Sequence, residues 1–258
     1  MSRVISIHGV DSKVGTTMIS QSLAELIARE MKEIKVLLMA FNGKGGTGYV
    51  SMAGETMDNL RVALDSQVHS VNELLKGCRV MNNLYILNSS FGIGKERRYH
   101  PETVTPILNR LKDSIDLIIT DCGGELDDGL AVGALKGADE TYCVLTQQEF
   151  GLERYDRLKG WYERLEIHFN NFVVNKYRSD DRYGLKDIAR RIDAEEDKVF
   201  KISETNYDRL AEIERRTFLN YKNGRYTEEI KCIANCILKG AGYLPIEGKR
   251  KAFWRTFT

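Results

Sequence analysis

Short apolar runs alternate with stretches of helical period from one end of the chain to the other. Val4-Ile5-Ser6-Ile7 predicts a strand, and residues 16–31 follow as a helix with Ile19, Leu23, Leu26 and Ile27 on one stripe. The apolar run at 36–39 is the next strand. A polar, glycine-rich stretch separates it from another strand at 84–87. A helix opening near Pro101 carries Val104, Ile107, Leu108 and Leu111, and Leu117-Ile118-Ile119 has no polar face, as a strand covered on both sides should not. Further strands are predicted at 142–145, 172–174 and 199–202, and further helices over 155–165, 185–192 and 227–238. This alternation predicts an α/β fold: a doubly wound, mostly parallel sheet with helices on both faces. With three prolines, no repeat and no low-complexity linker, residues 1–245 read as one domain and 246–258 as a separate tail.

In such sheets, ligands bind in the loops beyond the carboxyl ends of the strands. The loop after the first strand, His8-Gly9-Val10-Asp11-Ser12-Lys13-Val14-Gly15-Thr16-Thr17, runs directly into the first helix. Free backbone N–H groups and the helix dipole make that junction an anion site. Gly15 allows close backbone approach, and a hydroxyl just inside the helix is what Mg²⁺ coordination needs.

Asp11 to Met18, reading D-S-K-V-G-T-T-M, resembles the K-G-G-V-G-K-T-T loop of the MinD/ParA family of deviant Walker A P-loop ATPases. Other segments resemble that family in the same order. They are Asn83-Leu84-Tyr85-Ile86-Leu87, the strand ending Thr120-Asp121-Cys122-Gly123-Gly124 at the Walker B and switch II position, Leu145-Thr146-Gln147-Gln148-Glu149, and Val173-Val174-Asn175-Lys176-Tyr177. Five weak motifs in register are more specific than any one of them. The resemblance implies ATP and Mg²⁺ as cofactors, with the nucleotide held by Ser12, Lys13, Val14, Gly15, Thr16, Thr17, Gly124 and Asn175. Asn175 stands where the family reads adenine, and Thr17 and Asp121 where it holds the metal. It also implies a homodimer with ATP at the interface.

The departures from the family pattern bear on chemistry. Asp11 stands at the signature lysine, Ser12 and Lys13 at two glycines, and Thr16 at the phosphate-binding lysine; Ala40-Phe41-Asn42 stands where switch I carries D-x-D. Phosphoryl transfer is mostly positioning and charge stabilisation, so these losses strike the chemical step. Asp121 in switch II and Asn42 in switch I are the only candidates near catalysis. A loop of this kind is similar to that of TadZ and CpaE, pilus-assembly relatives of MinD. The expected function is therefore an ATP-binding spatial organiser or assembly factor for pilus, secretion, conjugation or division machinery, with weak or absent hydrolysis. A ParA-type DNA-partitioning ATPase and a nucleotide-free scaffold are the alternatives. Lys13 either leans over the phosphates or is solvated.

The remaining signals add little chemistry. Gly43-Lys44-Gly45-Gly46-Thr47-Gly48 matches G-x-G-x-x-G but follows the second strand, so it reads as a loop. Cys232 and Cys236, four apart on a helix, read as core packing, and the five cysteines as buried thiols of a reduced cytosol. The four histidines have no ligand spacing. A formal net charge of +1 calls for no nucleic acid. The tail interleaves Lys249, Arg250, Lys251 and Arg255 with Phe253, Trp254 and Phe257. That composition suits an anionic membrane surface, with packing on the body or stacking on a single strand as rivals. The expected location is the cytoplasm, with the tail a candidate attachment to the inner face of the membrane.

Overall fold

The structure, a computed structural model, describes residues 2–42, 49, 55–60, 71–89, 99–126 and 129–247. The glycine-rich 43–48 loop, His69 and the basic-aromatic segment from Lys249 to Phe257 lie outside the described residues.

Seven strands form one sheet: β1 (Arg3–Gly9), β2 (Val36–Ala40), β3 (Leu84–Leu87), β4 (Leu117–Asp121), β5 (Glu140–Thr146), β6 (Asn171–Tyr177) and β7 (Val199–Ser203). Their order is β3-β2-β4-β1-β5-β6-β7 and all pairings are parallel. Parallel neighbours need crossovers, and helices supply them: α1 (Thr16–Glu30), α2 (Val71–Gly77), α3 (Val104–Leu111), α4 (Gly129–Gly137), α5 (Glu149–Arg164), α6 (Leu185–Arg191), α7 (Asp208–Glu214) and α8 (Gly224–Gly240). β1, β2, β4 and β5 are buried on both faces, which is why β2 and the start of β4 read as unbroken apolar runs and why the polar Ser6, His8 and Thr120 within them are buried.

Local chemistry explains several boundaries. Buried Asn83 donates its amide to the carbonyls of Met31 and Ile34, closing the turn from α1 into β2. Asn223 caps α8, its side chain accepting from Tyr226 N–H at 3.1 Å. Helix α8 packs on α1 and β7 through Ile230, Ile233, Ala234, Ile237 and Leu238. The expected core packing of the Cys232–Cys236 pair is corrected here: Cys232 is exposed and Cys236 half-buried, because the apolar stripe of α8 is centred on the isoleucines instead. Cys78, Cys122 and Cys143 are buried free thiols, as expected. Ile246, which the sequence assigns to the tail, is buried, and its backbone N–H meets the Asn235 side chain at 2.7 Å. Among the described residues, no helix is long and apolar enough to cross a membrane.

Candidate functional site

β1 sits near the middle of the sheet with β4 on one side and β5 on the other, so the loop leaving it meets the carboxyl ends of both neighbours. Val10 N–H donates to Val144 O at 2.9 Å and Gly9 N–H to Gly123 O at 2.7 Å, anchoring the loop to β5 and to the turn after β4. Gly15 then turns into α1 with φ 96°, a left-handed conformation that suits glycine. A side chain there would also collide with Asn175, whose amide Nδ2 lies 2.2 Å from the Cβ position. That amide donates to Val14 O at 2.7 Å. The end of β6 therefore holds the loop in shape, a contact invisible in either segment alone. Gly124 approaches the loop equally closely, its Cβ position 2.4 Å from Asp11 O.

At the start of α1, Thr17 Oγ1 donates to Asp121 Oδ2 at 2.7 Å, and Asn42 Nδ2 donates to the same oxygen at 2.9 Å. Gly123 N–H donates to the other oxygen, Oδ1, at 3.2 Å. The ends of β2 and β4 and the first turn of α1 thus converge on one buried carboxylate. A hydroxyl and a carboxylate meeting at a helix N-terminus fit Mg²⁺, which takes few protein ligands and relies on phosphate and water for the rest. Among the described residues, no group of three or more His, Cys, Asp and Glu could hold a metal by itself.

Thr16 is buried, its Oγ1 turned under the loop to within 2.4 Å of where a Cβ on Gly9 would sit. Asp11 accepts from Ser12 N–H at 2.7 Å, so its carboxylate occupies one of the loop's own donors. Arg154 of α5 donates from Nε to Val10 O at 2.7 Å and lies 3.6 Å from both Asp11 and Glu125. His8, beneath the loop, is fully buried against Tyr162 and Phe169, and burial pushes its pKa down to about 4.

A cavity of about 590 Å³ opens over this cluster, within the size range of small-ligand sites. Ser12, Lys13, Gly15, Thr16, Thr17, Asn42, Gly124 and Asn175, all singled out in the sequence, line it. Val14 borders instead a neighbouring cavity of about 390 Å³, and Asp121 reaches the cluster from beneath through Thr17 and Asn42. The larger cavity also takes in residues that sequence reading missed: Tyr49, Lys176, Ser203, Glu204, Asp208, Glu212 and Phe218. The β7 exit was in principle legible, being another strand end on the same edge of the sheet. Nothing in sequence marked Arg154 or Phe218.

Comparison with known proteins agrees with this geometry. No protein-family model matches the chain. The chain is 23% identical over 180 residues to the septum site-determining protein MinD of Synechocystis sp., spanning 70% of this chain and 66% of that protein. It is 26% identical over 136 residues to MinD of Bacillus subtilis, spanning 48% of this chain and 50% of that one. Among solved structures, a ParA family ATPase from Chlorobium tepidum superposes with a TM-score of 0.78 at 18% identity, covering 91% of this chain and 99% of its own. This is the MinD/ParA fold. MinD of Pyrococcus horikoshii, solved with Mg-ADP, shares it with a TM-score of 0.67 at 19% identity over 94% of this chain and 98% of its own. The MinD/ParA fold accounts for the sheet order and for the loop's position at the end of β1.

Proposed function

We propose that the protein is an ATP-binding member of the MinD/ParA ATPases that works as a spatial organiser or assembly factor, with weak or absent hydrolysis. The observation that carries this reading is the Thr17–Asp121–Asn42 cluster at the first turn of α1, beneath a cavity of nucleotide size. In this reading Thr17 would hold Mg²⁺ with Asp121 behind it, and the loop N–H groups would face the phosphates. Bound Mg²⁺ supplies charge neutralisation at the β- and γ-phosphates. The Mg-ADP complex of the P. horikoshii protein supports the choice of ligand.

Weak turnover follows from the loop. Thr16 is tucked under the chain where a charged side chain would be needed, and Asp11 adds negative charge beside the site. Those positions also carry the TadZ- and CpaE-type assignment, and with it service to a pilus or secretion assembly. Binding rather than hydrolysis would set the balance between monomer and an ATP-bridged dimer. Lys249 to Phe257 would add a salt-sensitive contact with anionic membrane at the cytoplasmic face. A DNA-partitioning ATPase is the second reading; plasmid partition proteins from Borrelia burgdorferi, one solved with AMPPNP, share the fold. The net charge of +1 gives it no electrostatic support.

Titration calorimetry of the full chain with Mg·ATP tests the reading. Saturable heat that Thr17→Ala abolishes is expected; no heat up to millimolar ATP would leave the scaffold alternative standing.

A further inference from the structure

Glu229, on α8, holds Ser203 at the end of β7 by both of its donors. The Ser203 backbone N–H meets Oε2 at 2.7 Å, and the hydroxyl donates to Oε1, also at 2.7 Å. The next backbone N–H, of Glu204, is taken by Tyr177 O at 3.0 Å. Ser203 and Glu204 both line the 590 Å³ cavity, whereas Glu229 is not among the described residues that do. It stands behind the cavity wall, its side chain 12% exposed, with Arg225 Nε 3.4 Å from Oε1.

A serine hydroxyl left alone turns to suit its partner, donating to one ligand and accepting from another. Here a carboxylate, which only accepts, fixes it. With both N–H groups and the hydroxyl hydrogen engaged, Ser203 and Glu204 offer a ligand nothing but acceptors. Their place in the sheet says which end of a nucleotide they meet. The phosphate loop, Thr17 and Asp121 gather at the ends of β1 and β4. β7 is three strands away from β1, about 14 Å at ~4.8 Å per strand, and Ser203 is paired in register with Tyr177 of β6. A triphosphate seated at the loop therefore carries its base towards β6 and β7.

We propose that Glu229 is a positioning residue: it fixes Ser203 as the acceptor for the exocyclic amine of the base, so that the cavity prefers adenine to hypoxanthine, whose carbonyl would face an acceptor. The proposal rests on the nucleotide reading of the cavity. Glu229→Gln turns the contact round. The Ser203 N–H still requires an oxygen, so the new amide oxygen stays opposite it and the amide nitrogen faces the hydroxyl. Ser203 then accepts from the glutamine, and its own hydrogen is released to the cavity.

Calorimetric titration of the full chain with Mg·ATP and Mg·ITP is the test. The native chain should bind ATP about tenfold more tightly, since ITP sets one acceptor against another. In Glu229→Gln the ratio should fall to within about twofold, chiefly because ITP gains a donor and binds more tightly than before. Damage to the fold would weaken both nucleotides and produce no such gain. Ser203→Ala should level the two by weakening ATP, and Glu228→Gln, at an exposed neighbour on α8, should keep the native ratio. 2′-Deoxy-ATP, altered in the sugar alone, should follow ATP throughout; a ratio of the two that shifts in Glu229→Gln would move the contact to the ribose and overturn the assignment to the base. Equal binding of ATP and ITP by the native chain, or a native preference kept in Glu229→Gln or Ser203→Ala, overturns the proposal and leaves the nucleotide reading standing. If the native chain binds neither nucleotide, that reading fails and the role of Glu229 goes with it.

Discussion

His8 occupies the end of β1, where any charge would lie directly under the loop, and the chain keeps it neutral by enclosing it between Tyr162 and Phe169. Burial lowers its pKa from 6.5 to about 4. A base whose folded pKa is depressed leaves stability intact above its unfolded value, and stability falls as acid protonates the unfolded chain first. The loss should therefore run from pH 6.5 down to about 4, at up to ~1.4 kcal/mol per pH unit and about 3 kcal/mol in all. Guanidinium unfolding between pH 7 and pH 4 checks this, and His8→Gln should flatten that part of the profile. Asn42 shows the same economy with charge. Its amide donates a hydrogen bond to one oxygen of buried Asp121 without adding an anion. Asn42→Asp would bring a second carboxylate against the first, costing about 1–3 kcal/mol. Thermal melts should show that millimolar Mg²⁺ restores much of this loss; equal melting with and without Mg²⁺ would argue against a metal site at Thr17 and Asp121.

At the scale of elements, α1 and α8 show how a helix face is chosen. α1 buries Ile19, Leu23 and Ile27 on the stripe that its 3.6-residue period predicts. α8 follows the same rule with Ile230, Ile233 and Ile237, and the two helices meet. Ile237→Ala should cost about 2–5 kcal/mol, since a rigid core closes poorly around the space left. Cys232→Ser, on the exposed side of the same helix, should stay within about 0.5 kcal/mol. Urea denaturation of both variants decides whether the face has been read correctly. Sulfur chemistry made the cysteines conspicuous in sequence, but periodicity places the buried stripe on the isoleucines. Helix α5 is a second case. Its buried Tyr155 and Tyr162 build the aromatic layer over His8, while Arg154, one residue along, turns to the loop.

For the whole molecule, the question is what a MinD/ParA fold does with little charge in its phosphate loop. If binding sets its state, turnover should be far below that of intact relatives, because one lost stabilising group costs ~10²–10³ in rate. The double change Thr16→Lys with Asn42→Asp is expected to raise phosphate release. Brisk release by the native chain, insensitive to Thr17→Ala, would contradict the reading. The lysine must emerge from a position where threonine now lies under the loop, so the gain should be partial unless Gly9 and Val14 give way.

The order of elements, the parallel sheet and the loop at the end of β1 were legible in the sequence, because strand and helix periods and glycine placement act over a few residues. The motif resemblance also singled out Thr17, Asp121, Gly124 and Asn175, and the structure sets all four around the loop after β1. Tertiary structure decided what those residues do to one another. Asn175 supports the loop across 161 residues of chain, and Thr17 meets Asp121 across 104. It also set Arg154 against Asp11 in the loop, and brought Lys176, Glu204 and the α7 carboxylates Asp208 and Glu212 to the same cavity. Sheet order and crossover geometry set those meetings, and no local pattern encodes the distance between two strand ends until the sheet between them has formed.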